Sequence, residues 1–125
     1  MNTIMLQDKL IDLAVKAKVI AEQLPATESG KYMGKRLIES SVDLAILYEE
    51  TTNSQNREQF ITGLRKCAME VGKMRVCVII ITESGLLEPG FTKPFMEECE
   101  RLNALYMKSI ITANQHRNKS NEDNT

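Results

Sequence analysis

Hydrophobic positions recur along the chain at alternating steps of four and three residues. In the first segment these positions are Leu6, Leu10, Leu13, Ala17, Ile20 and Leu24. This stepping gathers side chains into one stripe of a helix, the seam typical of helical bundles and coiled coils. Three later seams repeat it: Met33, Leu37, Ser40, Leu44 and Leu47; Phe60, Leu64, Cys67, Val71, Met74, Val78 and Ile81; and Phe95, Cys99, Leu102, Tyr106, Ser109 and Ala113. The pattern predicts helices over about 3–24, 30–52, 57–84 and 93–115.

Helix-ending signals separate the four segments. Pro25 stops the first helix, and Gly85 followed by Leu86 is typical of a left-handed cap with a hydrophobic contact behind it. Pro94 is compatible with the first turn of the fourth helix. The candidate N-caps are Thr27 or Ser29 for the second helix, Asn56 with Gln59 in a capping box for the third, and Thr92 for the fourth.

Four long helices with short connections predict an all-α fold, an antiparallel up-down-up-down four-helix bundle. We expect this bundle to occupy residues 1–117 as a single domain. The remaining residues, 118–125, are polar and aperiodic, which predicts a disordered tail.

The stretch VCVIIITE, residues 76–83, is rich in β-branched side chains and in isolation favours a strand. However, Val78 and Ile81 continue the seam that begins at Phe60, so the stretch is predicted to be the end of the third helix. The apolar run lies between Arg75 and Glu83 and is far shorter than the roughly 20 residues that span a bilayer. A membrane span is therefore not expected.

Apolar residues outside the seams exceed what a monomeric bundle needs, because each helix then has to bury only one stripe. The excess is concentrated late in the second and third helices. Burial against other copies of the chain is the simplest resolution. The residues predicted to lie at this subunit interface are Ile46, Tyr48, Val76, Ile79 and Ile80.

The charge balance argues against a dedicated nucleic-acid binder. The chain has 125 residues with a net charge of −1 and a pI near 5.9, whereas phosphate binding calls for excess Lys and Arg. A basic face on the second and third helices remains an alternative, with Lys35, Arg36, Lys66 and Lys73 as its candidates. Acidic residues are interleaved there, and Lys66 can pair with Glu70 at four-residue spacing.

Neither a catalytic constellation nor a cofactor site is apparent. The single histidine, His116, lies in the polar tail, which argues against a di-metal bundle. The three cysteines, Cys67, Cys77 and Cys99, fall on or beside apolar seams, where burial makes a thiol inert. With no secretory signal, reduced thiols predict a cytoplasmic protein. Asp43 is expected to face solvent; if it were buried it would need a partner.

Three stretches carry a family resemblance. LPATESGKYMGKRLIESSVDLAILYEE (24–50), NREQFITGL (56–64) and ESGLL (83–87) resemble the second helix, the start of the third helix and its exit in the small four-helix bundle proteins also called 23S ribosomal RNA intervening-sequence proteins. The similarity spans roughly Leu24 to Met107. Ile38 and Glu39 stand where that family often has an Arg pair.

The resemblance implies a left-handed bundle that assembles into rings, commonly pentamers. It also implies kinship with the accessory variability proteins of diversity-generating retroelements, which bind nucleic acid, and it supplies no catalytic residues. The sequence thus predicts a non-enzymatic homo-oligomeric scaffold or interaction protein without a cofactor or metal. The alternative is a ribonucleoprotein accessory factor that binds RNA through the basic face.

Overall fold

The structure, a computed structural model, describes residues 3–123, with side chains described as far as residue 119. It contains four helices: α1 (Thr3–Gln23), α2 (Glu28–Thr52), α3 (Arg57–Glu83) and α4 (Pro89–Asp123). Within this range there is no strand, and each helix packs against the next one along the chain. The all-α four-helix bundle is confirmed, and VCVIIITE is the end of α3. None of the described helices is both long and apolar enough to cross a membrane.

Contacts between neighbouring helices fix their antiparallel directions. The Gln7 side-chain amide near the start of α1 donates to the Ala45 carbonyl late in α2, at 3.1 Å. Thr51 at the end of α2 packs against Gly63 near the start of α3, while Tyr32 near the start of α2 and Ile80 near the end of α3 line one groove. The Thr82 and Thr92 hydroxyls, 2.9 Å apart, join the end of α3 to the start of α4, and the Glu58–Arg117 ion pair joins the start of α3 to the end of α4. Consequently α1 and α3 run in the same direction.

The predicted caps at the starts of α2 and α3 form. The Thr27 hydroxyl accepts from the Gly30 N–H at 3.1 Å, and the Asn56 side chain accepts from the Gln59 N–H at 2.8 Å. The capping box differs in one bond, because the Gln59 side chain accepts from the Gln55 N–H rather than from that of Asn56. Each bond satisfies a backbone donor that a helix start leaves free.

The exit from α3 is a Schellman motif. Gly85 has φ +75°, the Gly85 N–H donates to the Thr82 carbonyl, and the Leu86 N–H donates to the Ile81 carbonyl. Leu86 is half-buried against the core. The predicted left-handed cap with its hydrophobic contact is therefore present.

The fourth helix is longer than predicted at both ends. It begins at Pro89, whose fixed φ suits a first helical position, so Thr92 lies inside the helix and Pro94 in its second turn. Thr92 is buried and bonded to Thr82 instead of capping. At the other end α4 continues through Asp123, beyond the expected 115, and Arg117 joins it to Glu58 of α3 at 3.1 Å. Residues 124–125 of the predicted tail lie outside the described residues.

The seams form one core. Nearly all predicted seam positions are buried, and together they make a single apolar cluster. The third seam begins one residue later than predicted, because Ile61 is buried while Phe60 is half-buried at the edge. The bundle therefore completes its own interior without the exposed apolar residues described next.

Candidate interaction surfaces

A groove of about 580 Å³ lies between α2 and α3 on the outside of the bundle. We call it the α2–α3 groove. It is lined by Tyr32, Met33 and Arg36 of α2 and by Met69, Gly72, Lys73, Arg75, Val76, Cys77 and Ile80 of α3.

Large apolar side chains in this groove are exposed to solvent. Met69 is 64%, Val76 51% and Ile80 47% exposed, and the Tyr32 ring is exposed at the opposite wall. Gly72 adds no side chain, and a Cβ placed there would meet nothing within 4 Å. The groove is thus an open apolar trough with room for the backbone of an approaching element.

The charged residues that line the groove are all cations. The Arg36 guanidinium donates to the Tyr32 hydroxyl at 3.0 Å and lies 5.9 Å from the ring centroid; this hydrogen bond raises the pKa of Arg36. Lys73 pairs with Glu70 at 3.0 Å, so Glu70 bonds to Lys73 rather than to the predicted partner Lys66. In the described part of the chain, neither Arg36 nor Arg75 has a carboxylate within ion-pair distance. An anionic group on a partner would therefore be attracted to this groove.

A second exposed apolar surface lies on the other side of α2. We call it the α1–α2 surface. The Gln7–Ala45 hydrogen bond and the packing of Gly34 on Ala21 set the register of these two helices. At that register Ile11 and Val42 lie at the same level of the bundle. The exposed apolar residues of the surface are Ile4, Ile11, Val15, Val42 and Ile46.

The residues predicted for the subunit interface are divided between three places. Val76 and Ile80 lie in the α2–α3 groove, and Ile46 lies on the α1–α2 surface. Ile79 is half-buried and does not line the groove. The prediction for Tyr48 is wrong, because this side chain is only 6% exposed. Its ring lies edge-on to that of Tyr106, with 6.3 Å between the ring centroids. It fills the core of its own bundle because it lies one turn beyond Leu44 on the inward face of α2.

The basic candidates are also divided. Arg36 and Lys73 share the groove, whereas Lys35 lies outside it with its ammonium 3.9 Å from Glu39. Lys66 lines a separate hollow of about 290 Å³ that also holds Glu50 and Glu58. The four residues therefore do not form one basic face.

Among the exposed large side chains that line the groove, Tyr32 and Met69 were not predicted to belong to a surface. A signal for one of them was available: Met69, Val76 and Ile80 repeat the seven- and four-residue steps of a second stripe, opposite the core seam. Nothing in the local sequence pairs that stripe with Tyr32 and Arg36 of α2.

The cysteines and Asp43 lie where the sequence predicted. Cys67, Cys77 and Cys99 are free and buried, and burial raises the pKa of each thiol, that of Cys99 to about 12. Thiols held neutral in this way are poor nucleophiles.

The Asp43 side chain is exposed to solvent, as predicted. Among the side chains that the structure describes, residues 3–119, no cluster of His, Cys, Asp and Glu has the arrangement of a metal site.

Comparison of the chain with models of known protein families, with characterised proteins and with solved structures finds no match.

Proposed function

We propose that this chain is a non-enzymatic, homo-oligomeric helical bundle of the cytoplasm that acts as a scaffold or interaction protein. The observation that carries the proposal is the pair of exposed apolar surfaces on a bundle whose own core is complete. The resemblance to the 23S ribosomal RNA intervening-sequence proteins supports a ring assembly, and the unpaired, buried thiols support a reducing compartment.

The energetic argument concerns the side chains that remain in water. Removing apolar surface from water is favourable by about 25 cal/mol per Å². Isolated exposed apolar residues are ordinary, but contiguous patches on a small protein mark places where another molecule binds. Here Met69, Val76 and Ile80 line one groove, and further exposed apolar residues lie on α1 and α2, so a second molecule that covers them would be stabilised.

Sedimentation velocity of the purified chain at micromolar concentration tests the proposal. We expect a discrete species heavier than the 14.1 kDa monomer. A chain that remains monomeric throughout the micromolar range would overturn homo-oligomerisation. A broad distribution that grows with time would indicate aggregation and would also count against the proposal.

A second candidate function is nucleic-acid binding, and one observation favours it. Arg36, Lys73 and Arg75 line a groove whose wall includes the exposed Tyr32 ring, a combination that can hold a phosphate chain and stack a base. Binding of a labelled RNA that weakens steeply with added salt, and is lost in Arg36→Ala/Arg75→Ala, would support it. If no RNA binds at low salt, this second candidate function is excluded.

A further inference from the structure

The outward faces of α1 and α3 carry the same spacing of apolar residues. Ile4, Ile11 and Val15 are separated by seven and four residues along α1. Met69, Val76 and Ile80 have the same separations along α3. All six are among the exposed large apolar side chains. Two stripes of equal spacing can pack side by side along their whole length.

We propose that the outward face of α1 in one copy of the chain occupies the α2–α3 groove of a second copy, with α1 parallel to the second copy's α3. This inference rests on the proposed homo-oligomerisation and names the surfaces that form it. The alignment places Ile4 beside Met69, Ile11 beside Val76, and Val15 beside Ile80.

Charge selects the parallel direction. The residue four positions after Ile4 is Asp8, and the residue four positions after Met69 is Lys73, so the parallel alignment brings a second carboxylate to Lys73 beside its own-chain partner Glu70. The parallel alignment also places Lys18, three residues after Val15, beside Glu83, three residues after Ile80. Lys18 and Glu83 are both exposed. Within its own helix the Lys18 ammonium lies 2.9 Å from the carboxylate of Glu22, which is also exposed.

The antiparallel alignment of the same stripes is unfavourable. It places Ile4 beside Ile80 and Val15 beside Met69, but it sets Ile11 against Lys73 and Asp8 against Val76. Seven residues beyond the Ile11–Lys73 pair, the same alignment places Lys18 beside Lys66, which have like charges. Like charges across an interface suppress the wrong arrangement.

The groove also suits the occupant in shape. Gly72 lies between Met69 and Val76 on the groove side of α3, and the space over it is open. A helix that carries β-branched Ile and Val can therefore approach closely. Arg36 on the α2 wall faces a helix that carries Asp8 and Asp12 among its exposed residues.

The parallel contact determines the kind of assembly. Because α1 and α3 run in the same direction within one chain, a parallel contact between copies makes all bundles point the same way. The two surfaces are different, so the contact is heterologous, and each copy offers one surface to each neighbour. Such contacts close into a ring when the rotation between neighbours allows it and otherwise extend as a filament.

A cross-linking experiment tests the direction. Ile11→Cys and Val76→Cys are made as separate full-length variants in a Cys77→Ala background, because Cys77 lines the groove, and are then mixed and oxidised mildly; Cys67 and Cys99 are buried in the core. We expect an intermolecular disulfide between positions 11 and 76, identified by peptide mass spectrometry, since the two Cα atoms would lie within the reach of a disulfide. The matched control mixes Ile11→Cys with Lys73→Cys, which the antiparallel alignment would join instead.

A charge-reversal cycle provides an independent test by sedimentation. Asp8→Lys and Lys73→Asp are each expected to raise the dissociation constant roughly tenfold. The double variant is expected to recover most of the lost affinity. Lys93→Asp, an exposed change on α4, serves as the control and should leave association unchanged. Circular dichroism of each variant confirms that the bundle is folded.

The outcomes separate this inference from the proposed function. If the wild-type chain is monomeric, both fail. If it associates but forms no 11–76 disulfide, or if the double charge reversal is no tighter than the single ones, the α1–groove contact is wrong while homo-oligomerisation stands. Preferential cross-linking of positions 11 and 73 would overturn the parallel direction.

Discussion

The three thiols and the Tyr106 hydroxyl lie inside the bundle as neutral groups. Burial raises the pKa of Cys67, Cys77, Cys99 and Tyr106, and the Tyr106 hydroxyl has no hydrogen bond to an oxygen or nitrogen atom. The Cys67 thiol is the polar group beside it. Each of these side chains is held in its protonated form because the ionised form would lose its hydration.

This burial predicts that the bundle loses stability at alkaline pH. An unfolded thiol ionises near pH 8.5, whereas the folded Cys99 keeps its proton to about pH 12. Above pH 8.5 the unfolded state therefore binds fewer protons, and the ionisation of Cys99 lowers the free energy of unfolding by up to about 1.4 kcal/mol per pH unit. The stabilising contribution of the neutral Cys99 thiol is fully present below pH 8.5 and is lost as the pH rises towards 12.

Urea unfolding between pH 8 and 11 measures this decline. Cys99→Ala should unfold more easily at pH 8, because it leaves a cavity, yet show a shallower dependence on pH. A wild-type midpoint that is constant over this range would contradict the assignment of buried neutral thiols.

At the scale of the elements, small residues set how closely the helices approach. Gly63 of α3 packs directly on Thr51 of α2; a Cβ at position 63 would lie 2.9 Å from the Thr51 Cβ and 2.7 Å from its Cγ2. The Thr51 hydroxyl donates to the Leu47 carbonyl at 2.7 Å, which holds its rotamer. The crossing of α2 and α3 therefore has no room for a larger residue.

Gly63→Ala is expected to destabilise the bundle by about 1–3 kcal/mol, although Ala is the better helix former, because α2 and α3 must move apart. Gly72→Ala is the matched control in the same helix, where a Cβ meets nothing of its own chain within 4 Å. That change should stabilise by about 0.5–1 kcal/mol. Because Gly72 also lines the groove, both variants are compared at protein concentrations at which the chain is monomeric. Chemical denaturation of both variants gives the comparison, and equal effects at the two positions would rule out the packing explanation.

The elements also differ in how far their local sequence specifies them. The start of α3 could be predicted because Asn56 and Gln59 lie next to each other in the chain and act locally. The start of α4 was predicted too late, because Thr92 followed by Pro94 resembles a helix start as well as Pro89 does. Thr92 lies inside α4 with its hydroxyl 2.9 Å from that of Thr82 in α3, a contact that only the folded chain makes.

At the scale of the whole molecule, two groups of exposed apolar residues, those of the α2–α3 groove and those of the α1–α2 surface, lie on either side of α2. Arg36 and Lys73 join Val76 and Ile80 in one of them, so the residues predicted separately for an interface and for a basic face meet in the α2–α3 groove. A surface that combines apolar anchors with cations suits a partner with apolar and acidic residues on one face.

Assembly through this groove predicts a melting temperature that rises with protein concentration, because association stabilises the folded state by mass action. Val76→Gln/Ile80→Gln should remove the concentration dependence while the bundle remains helical. Ile111→Gln is the control, since Ile111 is exposed on α4 outside both surfaces. If the wild-type melting temperature is independent of concentration, association through the groove is excluded.

The sequence by itself determined the four helices, the seams that form the core, most of the caps and the inert thiols. Each of these depends on residues within a few turns of one another, so periodicity and local hydrogen bonding suffice to predict them. Only the tertiary structure decided which apolar residues outside the seams are exposed: Tyr48 turns into the core while Val76 and Ile80 stay outside. The reason is physical, since a heptad seam shows which face of a helix is buried, but the rotation and register of its neighbours determine what covers the flanks.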